Sequence, residues 1–160
     1  MDGPVVLEKS PGAFSAGRKE PPTGTIPRSL RRLGAVLRLQ LRVAASMLRR
    51  REQGFAGIES VHRLPQGPVL LPEEEVARWT FAWMGTLSRL GWRAACLRRS
   101  LVLAEVLRRE GHDARVVLGA GRRGDVICGH CWVEVGGREL GGGSGGHVAL
   151  WRSEDPASGR

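Results

Sequence analysis

Ala95-Cys96-Leu97-Arg98-Arg99-Ser100-Leu101 and, further along, Cys128-Gly129-His130-Cys131-Trp132-Val133-Glu134 are the two stretches whose reading decides the fold. The first opens an apolar helical pattern predicted over 94–110, with Gly111 where a left-handed residue after the last turn is favoured. Cys96, Ser100, Leu103 and Leu107 share one face of that helix, and Cys96 falls in its first turn. There, backbone N–H groups without helical partners and the helix dipole favour a thiolate and can receive an oxyanion. The second stretch belongs to a strand predicted over 126–135, alternating so that His130, Trp132 and Glu134 face one way and Cys131, Val133 and Val135 the other. A thiol acts as a nucleophile only as the thiolate, which a nearby imidazole favours, so Cys96 and His130 are the candidate catalytic pair of a cysteine hydrolase. Position alone leaves a second reading of Cys96 open, as a small buried hydrophobe.

Around this pair the chain divides by pattern. Ala114 to Leu118 is predicted as a short strand, followed by a loop over 119–124. After the long strand, Gly136-Gly137 signals a two-residue hairpin turn returning through Arg138-Glu139-Leu140. Residues 141–146, Gly-Gly-Gly-Ser-Gly-Gly, lack the Lys-Ser/Thr of a phosphate loop and read as a linker. His147 to Trp151 makes a last strand and 153–160 a tail. Before the cysteine, Glu73-Glu74-Glu75 begins a helix with Val76, Trp79, Trp83, Leu87 and Leu90 on its apolar face, stopped by Gly91. Residues 28–72 hold a basic amphipathic helix and a linker. Leu30, Leu33, Leu37, Leu41, Ala44 and Leu48 form its apolar face, which packs on the domain while arginines line the rest. Gly54, Gly57 and a run of prolines from Pro65 to Pro72 mark the linker, and the proline-rich residues 1–27 read as a disordered tail. Helices first and a small antiparallel sheet afterwards make the class α+β.

The chain has 160 residues, 41% of them hydrophobic, enough for one domain with tails. A formal charge of +9, carried largely by arginine, points to acidic partners: peptide, nucleic acid or anionic lipid. No nucleic-acid motif or interleaved aromatic pattern accompanies the charge, so nucleic acid is not an expected partner. No apolar run reaches the roughly 18 to 20 residues of a membrane span, and a membrane association is not expected either. Three cysteines, and an N-terminus carrying Asp2 and Glu8 in place of a signal sequence, lead to the expectation of a reducing cytoplasm without a disulfide framework.

Cys128-Gly129-His130-Cys131 also resembles the redox motif of protein disulfide isomerases, which starts a helix; here the sequence that follows favours strand. A zinc site drawing on Cys128, His130 and Cys131 with Cys96 or His147 meets the objection that adjacent strand residues point to opposite faces. No metal or cofactor is expected. His62 and His112 have no motif around them and are expected in exposed loops.

Taken together, Cys96-Leu97-Arg98-Arg99-Ser100-Leu101, Leu107 to Gly111, Val116 to Gly119 and Gly129 to Arg138 resemble the leader peptidases of lasso-peptide biosynthesis. Their pattern is C-L-x-R-S…L-x-x-x-G…G…A-H-A-W-V-E-x-x-G-R. The likeness runs from about Glu73 to Trp151, and its order and spacing carry more weight than any single motif. The resemblance implies a transglutaminase-like, papain-like cysteine protease core over 73–152, with Cys96 as nucleophile and His130 as base and acid. It also implies an activity, removal of the leader from a ribosomally made precursor peptide, and partners: the precursor leader peptide, a separate leader-recognition protein and an ATP-dependent lasso cyclase. The separate recognition protein follows because residues 1–70 show no strand-rich pattern for the winged-helix-like module of the fused form.

One position departs from that pattern. The family's third catalytic residue, an acid about twelve positions after the histidine, is here Gly142. Glu134 and Glu139 lie four ladder steps from His130, roughly 13 Å at about 3.3 Å per residue, too far for a hydrogen bond. Ser144, a backbone carbonyl or Asp125 are the remaining stand-ins for the orienting group. A Cys/His dyad is therefore the predicted machinery, and a catalytically inactive scaffold or binding subunit of the maturation complex is the alternative reading.

Overall fold

The computed structural model describes residues 28–89, 95–142 and 144–153. The predicted terminal tails, the helix stop at Leu90 and Gly91, and Gly143 lie outside the described residues, apart from Ser153. Four helices precede a four-stranded sheet: α1 Arg28–Arg49, α2 Ala56–His62, α3 Glu73–Arg89, α4 Cys96–Arg109, β1 Ala114–Arg123, β2 Val126–Val135, β3 Arg138–Leu140 and β4 Val148–Arg152. The strand order is β3-β2-β1-β4, with every pairing antiparallel. The architecture is the expected α+β arrangement.

Helix α4 is the centre of the packing. It meets β1 and β2 on one side and α1, α2 and α3 on the others. Leu101, Val102, Leu103, Ala104, Val106 and Leu107 are all buried, so the helix is apolar around most of its circumference, as a helix enclosed on several sides must be. Gly111 follows at φ +88° with its N–H on the Arg108 carbonyl; a Cβ there would lie 2.5 Å from the Gly67 carbonyl oxygen.

Glu105 is the exception inside α4, a fully buried carboxylate. Ser46 Oγ and Arg50 Nε each donate to it at 2.8 Å, Arg49 at 2.5 Å and Arg109 at 3.2 Å. Burial pushes its pKa up, but the hydrogen bonds from Arg49, Ser46 and Arg50 outweigh burial and hold the carboxyl below its ordinary value. Arg42 of α1 bonds Glu110 and, at 2.9 Å, the Arg109 carbonyl. Three arginines expected in solvent are thus tied to α4.

That anchoring reverses the expected orientation of α1. Its buried residues are Ala35, Leu39, Val43, Ser46 and Met47, whereas Leu30, Leu33, Leu37, Leu41 and Leu48, the predicted core face, are 56–75% exposed. Placing the leucines inward would turn Ser46 and Arg50 away from Glu105 and leave a buried charge unpaired, which costs several kcal/mol. The linker reading of 54–72 also changes: Ala56–His62 is helical, with Gly57 and Ile58 buried. Its Gly57 Cβ position lies 2.9 Å from Leu101, so a side chain there would push α2 off α4. His62 and His112 are buried, not exposed; the His112 Nε2 lies 2.9 Å from the Leu71 carbonyl. In α3 the deepest residues are Val76, Ala77, Thr80 and Met84, while Trp79, Trp83 and Leu87 flank the core half-buried.

The sheet differs from expectation in one strand. β1 runs on through Gly119 to Arg123 where a loop is predicted, and only Gly124-Asp125 turns the chain. These glycines are in the strand because neighbours lie over them: a Cβ on Gly119 would be 2.6 Å from the Trp132 ring, and on Gly121 2.6 Å from the His147 ring. The Gly136-Gly137 hairpin has φ +56° and +79°, both left-handed, as a two-residue turn of this twist requires. No helix among the described residues is long and apolar enough to cross a membrane.

Candidate active site

Cys96 is the first residue of α4, after the extended residue Ala95, and is half-buried. Its side chain packs at the margin of the core. One turn on, Ser100 Oγ donates to the Cys131 carbonyl at 2.9 Å. β3 pairs with β2 only from Val133 to Val135, so this bond fastens α4, one turn after Cys96, to a stretch of β2 that β3 leaves uncovered.

Alternation then separates the side chains of β2. Cys131, Val133 and Val135 join the core beneath α4. Cys131 is buried, with Cys96 near enough to act on it electrostatically; burial above all pushes its thiol pKa up to about 11, and Ser100 opposes the rise. At neutral pH Cys131 is therefore a neutral thiol and a poor nucleophile. His130 goes to the other face, where its ring stacks with Trp132, centroids 6.1 Å apart, and lies 5.0 Å from the ring of His147. The thiol beside Cys96 is thus Cys131, and the rings of Trp132 and His147 are among the neighbours of His130.

A second thiol and imidazole meet on that face. Cys128 Sγ is 3.4 Å from His147 Nε2, and His147 Nδ1 is 2.6 Å from the Ser144 carbonyl. An Nδ1–H donated to that carbonyl leaves Nε2 as the acceptor toward Cys128, the tautomer a thiol partner needs. Gly121 makes room for the ring, and Gly145 and Gly146, at φ +56° and +84°, form the turn that returns Ser144 to it. Ser144 to Gly146, part of the stretch read as a linker, are therefore a shaped turn. Cys128 and His130 on one face were legible from the period of two. The approach of His147 was not, because it depends on an irregular register in which Leu118 pairs with Trp151 but Gly119 with Ala149.

The three acids considered as the orienting member have other partners. Glu134 accepts from Trp132 Nε1 at 3.2 Å and from Arg152 at 3.0 Å. Glu139 faces Glu134 across the hairpin and accepts from Ser144 N–H at 2.8 Å. Asp125, at the tip of the β1–β2 turn, lies 3.4 Å from Arg122. Gly142 is exposed at φ +113° and offers no side chain. Among the described residues, no group of three His, Cys, Asp or Glu side chains is placed to hold a metal ion. Cys96, Cys128 and Cys131 are all free thiols.

The described chain thus has a helix that begins with cysteine packed against an antiparallel sheet with a His-x-Trp-x-Glu strand. The family model described as transglutaminase-like superfamily matches residues 27–150, and the chain belongs to that superfamily, which includes cysteine peptidases. The match takes in α1 and α2 as well as the segment from Glu73 onward. No curated protein and no solved structure matches the chain.

Proposed function

We propose that this chain is a cysteine peptidase that removes the leader from a ribosomally made, lasso-type precursor peptide, with Cys96 as nucleophile and His130 as general base and then acid. The observation that carries the reading is the fastening of α4, one turn after Cys96, to the strand of His130 through Ser100 and the Cys131 carbonyl. It sets the thiol-bearing helix start against the part of β2 that β3 does not cover, the segment that also carries His130. The thiolate attacks the scissile carbonyl carbon, forming an S–C bond, and the first-turn N–H groups of α4 receive the oxyanion. Collapse breaks the C–N bond, and the proton held on His130 passes to the leaving amine. Water then hydrolyses the thioester and frees the leader's carboxylate. The reaction needs no cofactor. In this reading the partners are the leader peptide, a separate leader-recognition protein and an ATP-dependent cyclase that uses the released amine, and the compartment is the cytoplasm.

The test is mass spectrometry of precursor incubated with the protein and its recognition partner. Wild type yields two fragments whose masses sum to precursor plus water, and Cys96→Ala lowers the rate by about a thousandfold or more. Cleavage that survives Cys96→Ala removes the nucleophile assignment. Survival in Cys96→Ala with loss in Cys128→Ala and His147→Gln moves the chemistry to the thiol–imidazole pair on the outer sheet face.

A second reading, an inactive binding subunit of the maturation complex, draws on the Gly142 position and on the placement of His130 with Trp132 and His147. Precursor bound but never cut by the wild type, with its partners present, selects it.

A further inference from the structure

Helix α1 has two apolar faces, and the fold uses one. Ala35, Leu39, Val43 and Met47 enter the core, while Leu30, Leu33, Leu37, Leu41 and Leu48 form an outward row about 27 Å long at 1.5 Å per residue. A continuous exposed apolar row of this kind marks an interaction surface. At its N-terminal end, at Leu30, the row borders a groove of about 1010 Å³, whose far wall is Val69 and Leu70, themselves 64% and 44% exposed. Arg31 and Arg38, two turns apart, lie in the groove beside Leu30. Neither has a carboxylate partner among the described residues, unlike Arg42 and Arg49 further along the same side of the helix. On the opposite flank, beside Ser29 and Val36, the charges are already paired: Arg32 lies 2.9 Å from Glu75, and Arg78 lies 4.0 Å from the same carboxylate. Gly34 forms part of the groove lining, and nothing lies within 4 Å of where its Cβ would be.

We infer that this groove docks an amphipathic helix of a partner protein, with leucine-like residues against Leu30, Val69 and Leu70 and carboxylates seven residues apart against Arg31 and Arg38. Charge selects this occupant over the others. A second copy of this chain packed antiparallel along the row would bring each arginine flank against itself, and the chain already carries +9. Its own residues 1–27 hold Asp2, Glu8 and Glu20 against Lys9, Arg18 and Lys19, with no net acidity to offer. A membrane surface suits a convex helix with free basic residues on both flanks, and here Val69 and Leu70 wall a groove on one side while Arg32 on the other is paired with Glu75. The inference stands apart from the peptidase reading, because its readout is binding and not cleavage.

The probe is a synthetic helical peptide with leucines at three- and four-residue spacing and glutamates every seventh residue, titrated into the full chain by fluorescence anisotropy. Expected is saturable binding that weakens with salt and falls about tenfold or more in Arg31→Glu/Arg38→Glu. The same variant gains affinity for a twin peptide with lysine in place of glutamate. Gly34→Trp fills the groove from an exposed helix position and abolishes binding while the circular-dichroism melt keeps its cooperativity. Equal affinity of wild type for both peptides overturns the proposal. So does selective binding to vesicles of anionic phosphatidylglycerol in place of the peptide, or a dimer by light scattering that Leu37→Glu dissolves.

Discussion

Helices α1 and α4 are both amphipathic in sequence, yet in α4 the apolar pattern gives the buried face and in α1 it gives the exposed one. The difference lies in what each helix must satisfy. α4 is surrounded by the sheet and three helices, so nearly every apolar side chain it has goes inside. α1 meets α4 along one line only, and on that line sits a buried carboxylate, Glu105. A row of leucines offers about 1.5–3 kcal/mol for each side chain removed from water. The other face offers Leu39, Val43 and Met47 together with Ser46 and Arg50, which close the Glu105 network. Apolar gain accrues on either face; the polar penalty is avoided on only one.

The largest effect expected from this contrast is at Glu105. Glu105→Ala leaves Arg50 buried without its carboxylate and destabilises the fold by about 3–5 kcal/mol in chemical denaturation. Because the folded carboxyl is held below its ordinary pKa of 4.5, its contribution is present above that value and is lost as pH falls below it. The wild-type acid transition should therefore be steeper than that of Glu105→Ala, and coincident transitions break the account. Next comes the pair Leu39→Ala and Leu37→Ala. The first opens a cavity and costs about 2–5 kcal/mol, while the second removes an exposed side chain and stays within about 0.5 kcal/mol. Similar losses at both positions would mean that the leucine row is covered.

Much of this fold was readable in the chain because its signals are local. Gly136-Gly137 sets a turn through backbone sterics, Glu73-Glu74-Glu75 and Gly111 bracket helices through their ends, and β2 has the predicted limits because its alternation is unbroken. The same alternation separated Cys131 from His130 before any coordinates. What escaped depends on contacts distant in sequence. The facing of α1 is decided by Glu105, more than fifty positions away. The continuation of β1 through Gly119 and Gly121 depends on rings from β2 and the residue before β4, and the burial of His112 on the Leu71 carbonyl. In the candidate site, the position of Cys96 at a helix start was legible. The pairing of His147 with Cys128 was not, since it needs both the bulged β4 register and the turn over 144–147.

The covered face of β2 carries one more consequence of burial, at Cys131. Cys131 holds its proton to about 11 because it is buried, against 9.0 for an ordinary thiol. Below 9.0 both states keep the proton; between there and about 11 only the unfolded chain gives it up. Stability therefore falls as pH rises through that window, by on the order of 2–3 kcal/mol in all. The checkable quantity is the difference between wild type and Cys131→Ala in urea unfolding at pH 8.5 and at the top of the window. A constant difference would place the Cys131 thiol in contact with water.

The smallest expected effect has the opposite sign and bears directly on α1. Gly34 sits inside a helix on its solvent side, and a methyl group there meets nothing within 4 Å. Its backbone is helical, so alanine adopts the same conformation while limiting the unfolded chain. Gly34→Ala should stabilise the protein by about 0.5–1 kcal/mol, a rise of a few degrees in melting temperature. The gain is expected in full only if this side of α1 is as open in solution as its leucines are in the structure. A loss instead of a gain would mean that another surface lies within a methyl group's reach of Gly34, and the outward face of α1 would then be part of an interface the isolated chain already makes.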